Sequence, residues 1–141
     1  MTDSLSKQDR SDRMRCITSK NTRPEMIVRK TVHAMGYRYR LHQRNLPGSP
    51  DLVFPSRRKV IFIHGCFWHR HGDPLCKLSR LPKTRLDFWL PKLEANAQRD
   101  TLALANLDIL GWSALVLWEC ELKDRASLQS RIGRFLDDAI N

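Results

Sequence analysis

The 141-residue chain has no apolar run near the roughly 20 residues that a membrane-spanning helix needs. No charged-then-apolar leader opens it, because the first fifteen residues are polar and charged. It shows no internal repeat and no low-complexity tract. It is also too short to divide, since chains usually split only past roughly 200–250 residues. These absences exclude a membrane span, a secretory leader and a repeat array. They leave a soluble intracellular protein, with residues 1–12 as a flexible polar tail and residues 13–141 as a single domain. Hydrophobic residues make up 41% of the chain, enough for one modest core.

Acidic residues are scarce beside basic ones: Asp and Glu number 15 against 25 Lys and Arg, a net charge of +10. That balance suits a polyanionic partner, either nucleic acid or a membrane surface. The excess is uneven. Residues 1–59 hold 14 basic and 5 acidic residues, whereas residues 60–141 hold 11 and 10. The first half is therefore expected to build a phosphate-facing side.

A short basic helix is expected over 13–20. Thr22-Arg23-Pro24-Glu25 reads as a helix start, with a Thr cap, a proline in the first turn and an acid three residues after the cap. Ile27, Val28, Thr31, Val32 and Met35 would share its inner side, and Gly36 would end it. Tyr37–Leu41 alternates like a strand, and Pro47-Gly48-Ser49-Pro50 is a turn signal. Asp51–Phe54 reads as a short strand, Pro55–Arg58 as a turn, and the continuous apolar run Val60–Ile63 as a central strand. Thr84-Arg85-Leu86-Asp87 resembles a second capping box. It would open a helix running to Leu110, with Leu93, Ala97, Leu104 and Leu107 inward and Pro91 in its early turns or delaying its start. Trp112–Trp118 is expected as a strand. A last helix, starting at Asp124 or Ser127, would bury Leu128, Ile132, Phe135, Leu136 and Ile140. This order predicts an α/β fold with a mixed central sheet and helices on both faces.

Two stretches carry chemistry. Cys66, His71 and Cys76 are spaced with four residues between neighbours, and Cys120 follows the Trp112–Trp118 strand. One histidine and three cysteines make a plausible closed, structural zinc set, with Asp73 a poorer substitute ligand. Cys66 and Cys120 as merely small buried residues is the competing reading, and Cys16 is read as packing. His64 and His69 lie outside that set and are free for proton transfer. The second stretch is Pro50-Asp51 at the head of a strand, beside the strand that ends at Ile63-His64. That is the outline of a metal-dependent nuclease core, in which the carboxylate holds Mg²⁺. The acid-x-Lys half of that core is missing, and a turn aspartate remains the plainer alternative.

Taken together, Pro47-Gly-Ser-Pro-Asp51, Val60-Ile-Phe-Ile-His64-Gly-Cys66-Phe-Trp-His69, Arg85-Leu-Asp-Phe-Trp89, Gly111-Trp112 and Trp118-Glu-Cys120 resemble the very-short-patch repair (Vsr) DNA mismatch endonucleases. Arg13-Met14-Arg15 and Glu25 fit the same pattern, so the resemblance runs over roughly residues 10–138. It implies a restriction-endonuclease-like core with a structural zinc-bound loop. It also implies an Mg²⁺-dependent enzyme that nicks one strand 5′ of the thymine in a T·G mismatch left by deamination of 5-methylcytosine. Asp51 resembles the Mg²⁺-binding carboxylate and His69 the base that activates water. His64 and Glu25 resemble the groups that order metal-bound water, and Ile63 would lend its backbone carbonyl to Mg²⁺. Cys66, His71, Cys76 and Cys120 resemble the zinc ligands. Phe67, Trp68 and Trp89 resemble an aromatic wedge that enters the base stack beside the mismatch. Met14 resembles an insertion from the other groove, with Arg13 and Arg15 as DNA contacts. Burial is the competing reading for Phe67 and Trp89, and the expected one for Phe88. A helix cap is the competing reading for Glu25.

The implied partners are T·G-mismatched duplex DNA, mismatch-repair proteins and a cytosine-5 methyltransferase system, with no membrane. The implied enzyme is a cytoplasmic bacterial monomer that works at the nucleoid. This chain departs from the family in two places. It has Ile63 where threonine is usual, which is harmless if only the carbonyl is used and costly if the hydroxyl matters. Its loop between His71 and Cys76 is longer than is usual. Two other readings stay open: a restriction-type or transposon-associated endonuclease on another DNA substrate, and a catalytically silent mismatch-binding module.

Overall fold

A computed structural model describes residues 22–73 and 75–137. The expected tail 1–12 and basic helix 13–20, with Arg13, Met14, Arg15 and Cys16, lie outside these residues, as does Ile140. Helix α1 is Arg23–Ala34. Its cap is the expected one: the Thr22 side chain accepts the Glu25 amide at 3.3 Å. Pro24 falls in the first turn, where no amide is needed. Gly36, at φ +97°, takes the left-handed exit, and the Tyr37 amide reaches back to the Val32 carbonyl at 3.2 Å.

Four strands follow in sheet order β1-β2-β3-β4: β1 Arg40–Leu41, β2 Leu52–Phe54, β3 Lys59–His64 and β4 Ser113–Trp118. The first three form an antiparallel meander, and β4 pairs in parallel with β3. A parallel neighbour requires a crossover, supplied by helix α2, Leu86–Ile109. Helix α3, Arg125–Asp137, closes the chain. Asp124 caps it through the Ser127 amide at 3.1 Å, which settles the choice between its two expected starts.

Period-two alternation sends side chains to two cores. On one face Leu52, Phe54, Ile61 and Leu117 meet Val28 and Val32 of α1 and Leu128, Ile132 and Leu136 of α3. On the other, Val53, Val60 and Phe62 meet Leu107 of α2. The expected mixed sheet with helices on both faces is therefore observed, and β3 is the interior strand its unbroken apolar run foretold. Each fully buried Val, Leu or Ile stabilises the fold by about 1.5–3 kcal/mol, so these two layers dominate its stability.

Two local expectations are corrected and the choice left open at Pro91 is settled. The strand expected over Tyr37–Leu41 shortens to Arg40 and Leu41, which pair with Val53 and Leu52 of β2. Thr84 does not cap α2. Arg85, in a left-handed conformation at φ 58°, occupies the cap, and its carbonyl takes the Phe88 and Trp89 amides. Pro91 does not delay the start, since α2 begins at Leu86 and carries the proline inside its second turn. Ala103 is buried in α2 beside the expected Leu93 and Leu107, while Ala97 and Leu104 are half-buried.

Candidate active site

The antiparallel β2–β3 pair and the parallel β3–β4 pair bring the start of β2 and the ends of β3 and β4 to one edge of the sheet. Asp51 immediately precedes β2, and its Oδ2 accepts the Ile63 amide from β3 at 2.8 Å. Burial is the main reason its carboxyl is pushed up to about 6. Glu25 adds to the rise, while the Ile63 amide, His42 and His69 oppose it. Such a carboxylate is short of positive charge, which is the condition a divalent cation relieves.

Glu25 is buried at the start of α1, and its Oε2 lies 3.0 Å from His42 Nε2 and 3.5 Å from Arg29 Nη1. The cap at Thr22 and the reach toward the site thus coexist in one residue: its amide serves the cap and its carboxylate faces His42. His42 donates its backbone N–H to the Asp51 carbonyl at 3.2 Å. One ligand atom from each of Glu25, His42 and Asp51 lies within 4.8 Å of the others, so the three could hold a metal. His42 has no motif around it. The signal that would have found it is register, since pairing Leu41 with Leu52 sets residue 42 opposite residue 51.

His64 ends β3 and His69 follows in the next turn, where its amide bonds the Gly65 carbonyl at 3.1 Å. The two rings stack at 3.9 Å and 3°. His69 Nδ1 lies 2.5 Å from Asp100 Oδ2 on α2, so proton chemistry at this ring falls to Nε2. Burial, and then the neighbouring His69, lowers His64 to about 4, which keeps that ring neutral near pH 7. Its buried Nδ1 has no hydrogen-bond partner among the described residues. His69 borders two clefts. One, of about 410 Å³, is lined also by Gly48, Ser49, Asn96, Arg99 and Asp100. The other, of about 270 Å³, is lined also by Arg23, Ile63, Trp68 and Glu119. Asp100 escaped the sequence reading because 31 residues separate it from His69, and only the packing of α2 unites them.

The four expected zinc ligands converge. Cys66, His71, Cys76 and Cys120 each place a ligand atom within 4.8 Å of the others. Cys120 Sγ lies 3.5 Å from His71 Nδ1, close to the edge of about 3.5 Å that a tetrahedron with zinc–nitrogen and zinc–sulfur bonds would have. The Cys120 amide bonds Cys66 Sγ at 3.4 Å, and the His71 ring stacks on Trp118 at 4.2 Å. Burial pushes the Cys66 thiol up to about 12. Burial opposes ionisation of Cys76 as well, but hydrogen bonds from His71, Cys66, Ser79 and Cys120 bring it down to about 6. The donor set is soft and compact, and it suits zinc. Asp73 is exposed; it turns its Oδ1 to the Leu75 amide at 2.9 Å and is absent from the cluster.

Phe67, Trp68 and Trp89 are half-buried and pack edge-to-face, with ring centroids 5.2–5.9 Å apart. Phe88, expected in the core, is exposed instead (38%). In the first turn of α2, Trp89 takes the inward position and Phe88 is rotated out, where the Arg85 and Lys92 cations sit 4.7 Å and 4.4 Å from its ring. The patch thus joins the cysteine-rich loop to the start of α2.

A family model described as DNA mismatch endonuclease Vsr matches residues 2–74. The chain is 53% identical over 137 residues to the type II nicking enzyme V.XorIIP of Xanthomonas oryzae pv. oryzae, covering 97% of this chain and 98% of that protein. It is 40% identical over 136 residues to the type II nicking enzyme V.NmeAIP of Neisseria meningitidis, covering 96% and 95%. It is 41% identical over 128 residues to the DNA mismatch endonuclease Vsr of Escherichia coli, covering 91% and 80%.

Proposed function

Since the chain belongs to the DNA mismatch endonuclease Vsr family, and is thereby a DNA endonuclease, we propose that it nicks one strand of duplex DNA 5′ of the thymine in a T·G mismatch. The printed names of two relatives, type II nicking enzymes, support cutting of a single strand. The observation that carries the reading is the meeting, at one sheet edge, of the charge-deficient Asp51 carboxylate and the His69–Asp100 pair. The four-stranded mixed sheet fits a restriction-endonuclease-like core.

His69 accepts the proton of the attacking water at Nε2, while Asp100 fixes the ring and stabilises the imidazolium that forms. His64 stays neutral and braces His69 by stacking. Together with Glu25, it orders water at the site. Asp51 and the Ile63 backbone carbonyl would hold a divalent cation such as Mg²⁺, which would supply Lewis-acid polarisation of the phosphate. Arg23 and Arg99 border the two clefts, where they serve as phosphate contacts, and the family resemblance adds Arg13 and Arg15 as DNA contacts. Phe67, Trp68 and Trp89 probe the stack from one groove and Met14 from the other, because a mismatch is the step that unstacks at least cost. Cys66, His71, Cys76 and Cys120 would hold a zinc ion, which would tie the wedge loop to the end of β4.

The test uses purified protein, Mg²⁺ and paired duplexes carrying T·G or C·G in one methylation context, read on a denaturing gel. A nick 5′ of the mismatched thymine, lost in Asp51→Ala with mismatch binding kept, is the expected result. Cleavage of matched duplex or of both strands would assign another substrate, and binding without cutting would make the chain a silent mismatch reader.

A further inference from the structure

The cation site contains a side chain that neither the sequence motifs nor the assigned roles use. We propose that the His42 imidazole is a direct ligand to the divalent cation, completing a Glu25–His42–Asp51 site whose nitrogen donor favours ions such as Ni²⁺ or Co²⁺ over Mg²⁺. This inference rests on the reading of Asp51 as a cation-binding carboxylate, and it replaces the water-ordering role of Glu25 with direct ligation.

Three elements deliver the ligands: Glu25 from the first turn of α1, His42 from the end of β1, and Asp51 from the start of β2. Their ligand atoms already lie within 4.8 Å of one another. The His42 Nε2 to Glu25 Oε2 separation is 3.0 Å, which matches the edge of about 3 Å between neighbouring ligands of an octahedral ion with bonds near 2.1 Å. Asp51 gives Oδ2 to the Ile63 amide and keeps Oδ1 for an ion. The Glu25 and Asp51 carboxylates supply the negative charge, part of which Arg29 already shares at 3.5 Å from Glu25 Oε2, and an imidazole ligand adds a nitrogen donor without adding negative charge. Oxygen ligands suit Mg²⁺, whereas imidazole favours the later divalent metals.

The backbone supports a fixed role. His42 sits at φ 48°, a left-handed conformation that non-glycine residues seldom adopt, and its amide is tied to the Asp51 carbonyl. The side chain is about one-quarter exposed while that of Glu25 is almost fully enclosed, so His42 is the more solvent-accessible of the two. The plainer interpretation of the same 3.0 Å is an ion pair between His42 and Glu25, and spectroscopy separates the two.

Zinc-loaded protein is titrated with Mn²⁺, with binding followed by electron paramagnetic resonance and the ligands by nitrogen modulation of the electron spin echo. Wild-type protein is expected to show imidazole nitrogen on bound Mn²⁺. His42→Asn, whose residue tolerates the left-handed backbone, is expected to lose that modulation and to bind Mn²⁺ at least about tenfold more weakly. His42→Gln repeats the test should the asparagine variant fold poorly. Nitrogen modulation that survives both substitutions, or is absent from wild type, overturns the proposal. If Asp51→Ala binds Mn²⁺ like wild type, the cation reading of Asp51 fails first, so the two failures are distinguishable.

Discussion

At the scale of single residues, the site separates into groups that chemistry in the sequence announces and groups that only packing reveals. Asp51, His64, His69 and the cysteines stand within short, distinctive runs, so their types and spacing made them candidates. Asp100 and His42 stand among ordinary helix and loop residues and acquire meaning only through tertiary contacts. Phe88 failed for a related reason: hydrophobicity predicts burial, but its place on the turn of α2 is set by Trp89 taking the inward position. Asp100→Asn tests the most consequential of the hidden residues. It preserves shape but removes the charge that stabilises a protonated His69. It should slow nicking by roughly 10²–10⁴-fold at unchanged mismatch affinity. Single-turnover rates alongside binding isotherms check this, and an unchanged rate would leave Asp100 a structural partner only. His69→Ala should be at least as damaging in the same assay.

At the scale of elements, the turn before Asp51 ties the site to the fold. Gly48 has φ +75°, and a Cβ there would lie 2.7 Å from Ala103 Cβ on α2 and 3.1 Å from the Phe62 ring. Conformation and space both demand glycine, so Gly48→Ala should cost about 2–4 kcal/mol. Gly72 meets nothing within 4 Å, so Gly72→Ala serves as the control and should melt within about 1–2 °C of wild type. Thermal melts of the two variants decide the point, and equal melting temperatures would refute it. The cysteine-rich loop makes a second prediction. Cys66→Ser, or treatment with a strong chelator, should lower the melting temperature by many degrees, with metal analysis falling below about one zinc per chain. A variant that melts like wild type with no zinc bound would show that packing alone holds the loop. Boundaries of elements were less legible than their existence. β1 is limited to the two residues that pair with β2, and α2 starts at Leu86 because Arg85 takes a left-handed turn. Residue types alone announce neither boundary.

At the scale of the whole molecule, charge and topology carry the remaining predictions. No helix among the described residues is long and apolar enough to cross a membrane. The excess of basic residues in 1–59 fits a phosphate-binding side, and Arg23 and Arg99 border the clefts beside His69. Arg23→Ala and Arg99→Ala should each flatten the dependence of log affinity on log salt by up to about 0.9, equally for T·G and C·G duplexes. A loss confined to the mismatched duplex would mean these arginines read the lesion rather than the backbone. The two-faced α/β architecture was legible because its signals are periodic: a continuous apolar β3, two amphipathic helices packed on one face and a long helix before the parallel strand. The convergence of Glu25, His42 and Asp51 was not, because it depends on where α1 begins relative to a strand register.

The single parallel pairing in the sheet also bears on the order in which the molecule assembles. Asp51 reaches Ile63 across 12 residues of chain, within the meander, whereas His69 reaches Asp100 across 31 and only once the crossover helix α2 has docked. Closing the longer loop costs about 0.8 kcal/mol more in chain entropy, and none of it is returned until the crossover docks. Pulse-labelled hydrogen exchange during refolding should therefore protect the β2–β3 amides before those of β4, and simultaneous protection would argue against this sequence of events. A chain that folds in this order makes the Asp51–Ile63 contact first and the His69–Asp100 contact last, so on the proposed reading the half-made site would lack the carboxylate that orients His69.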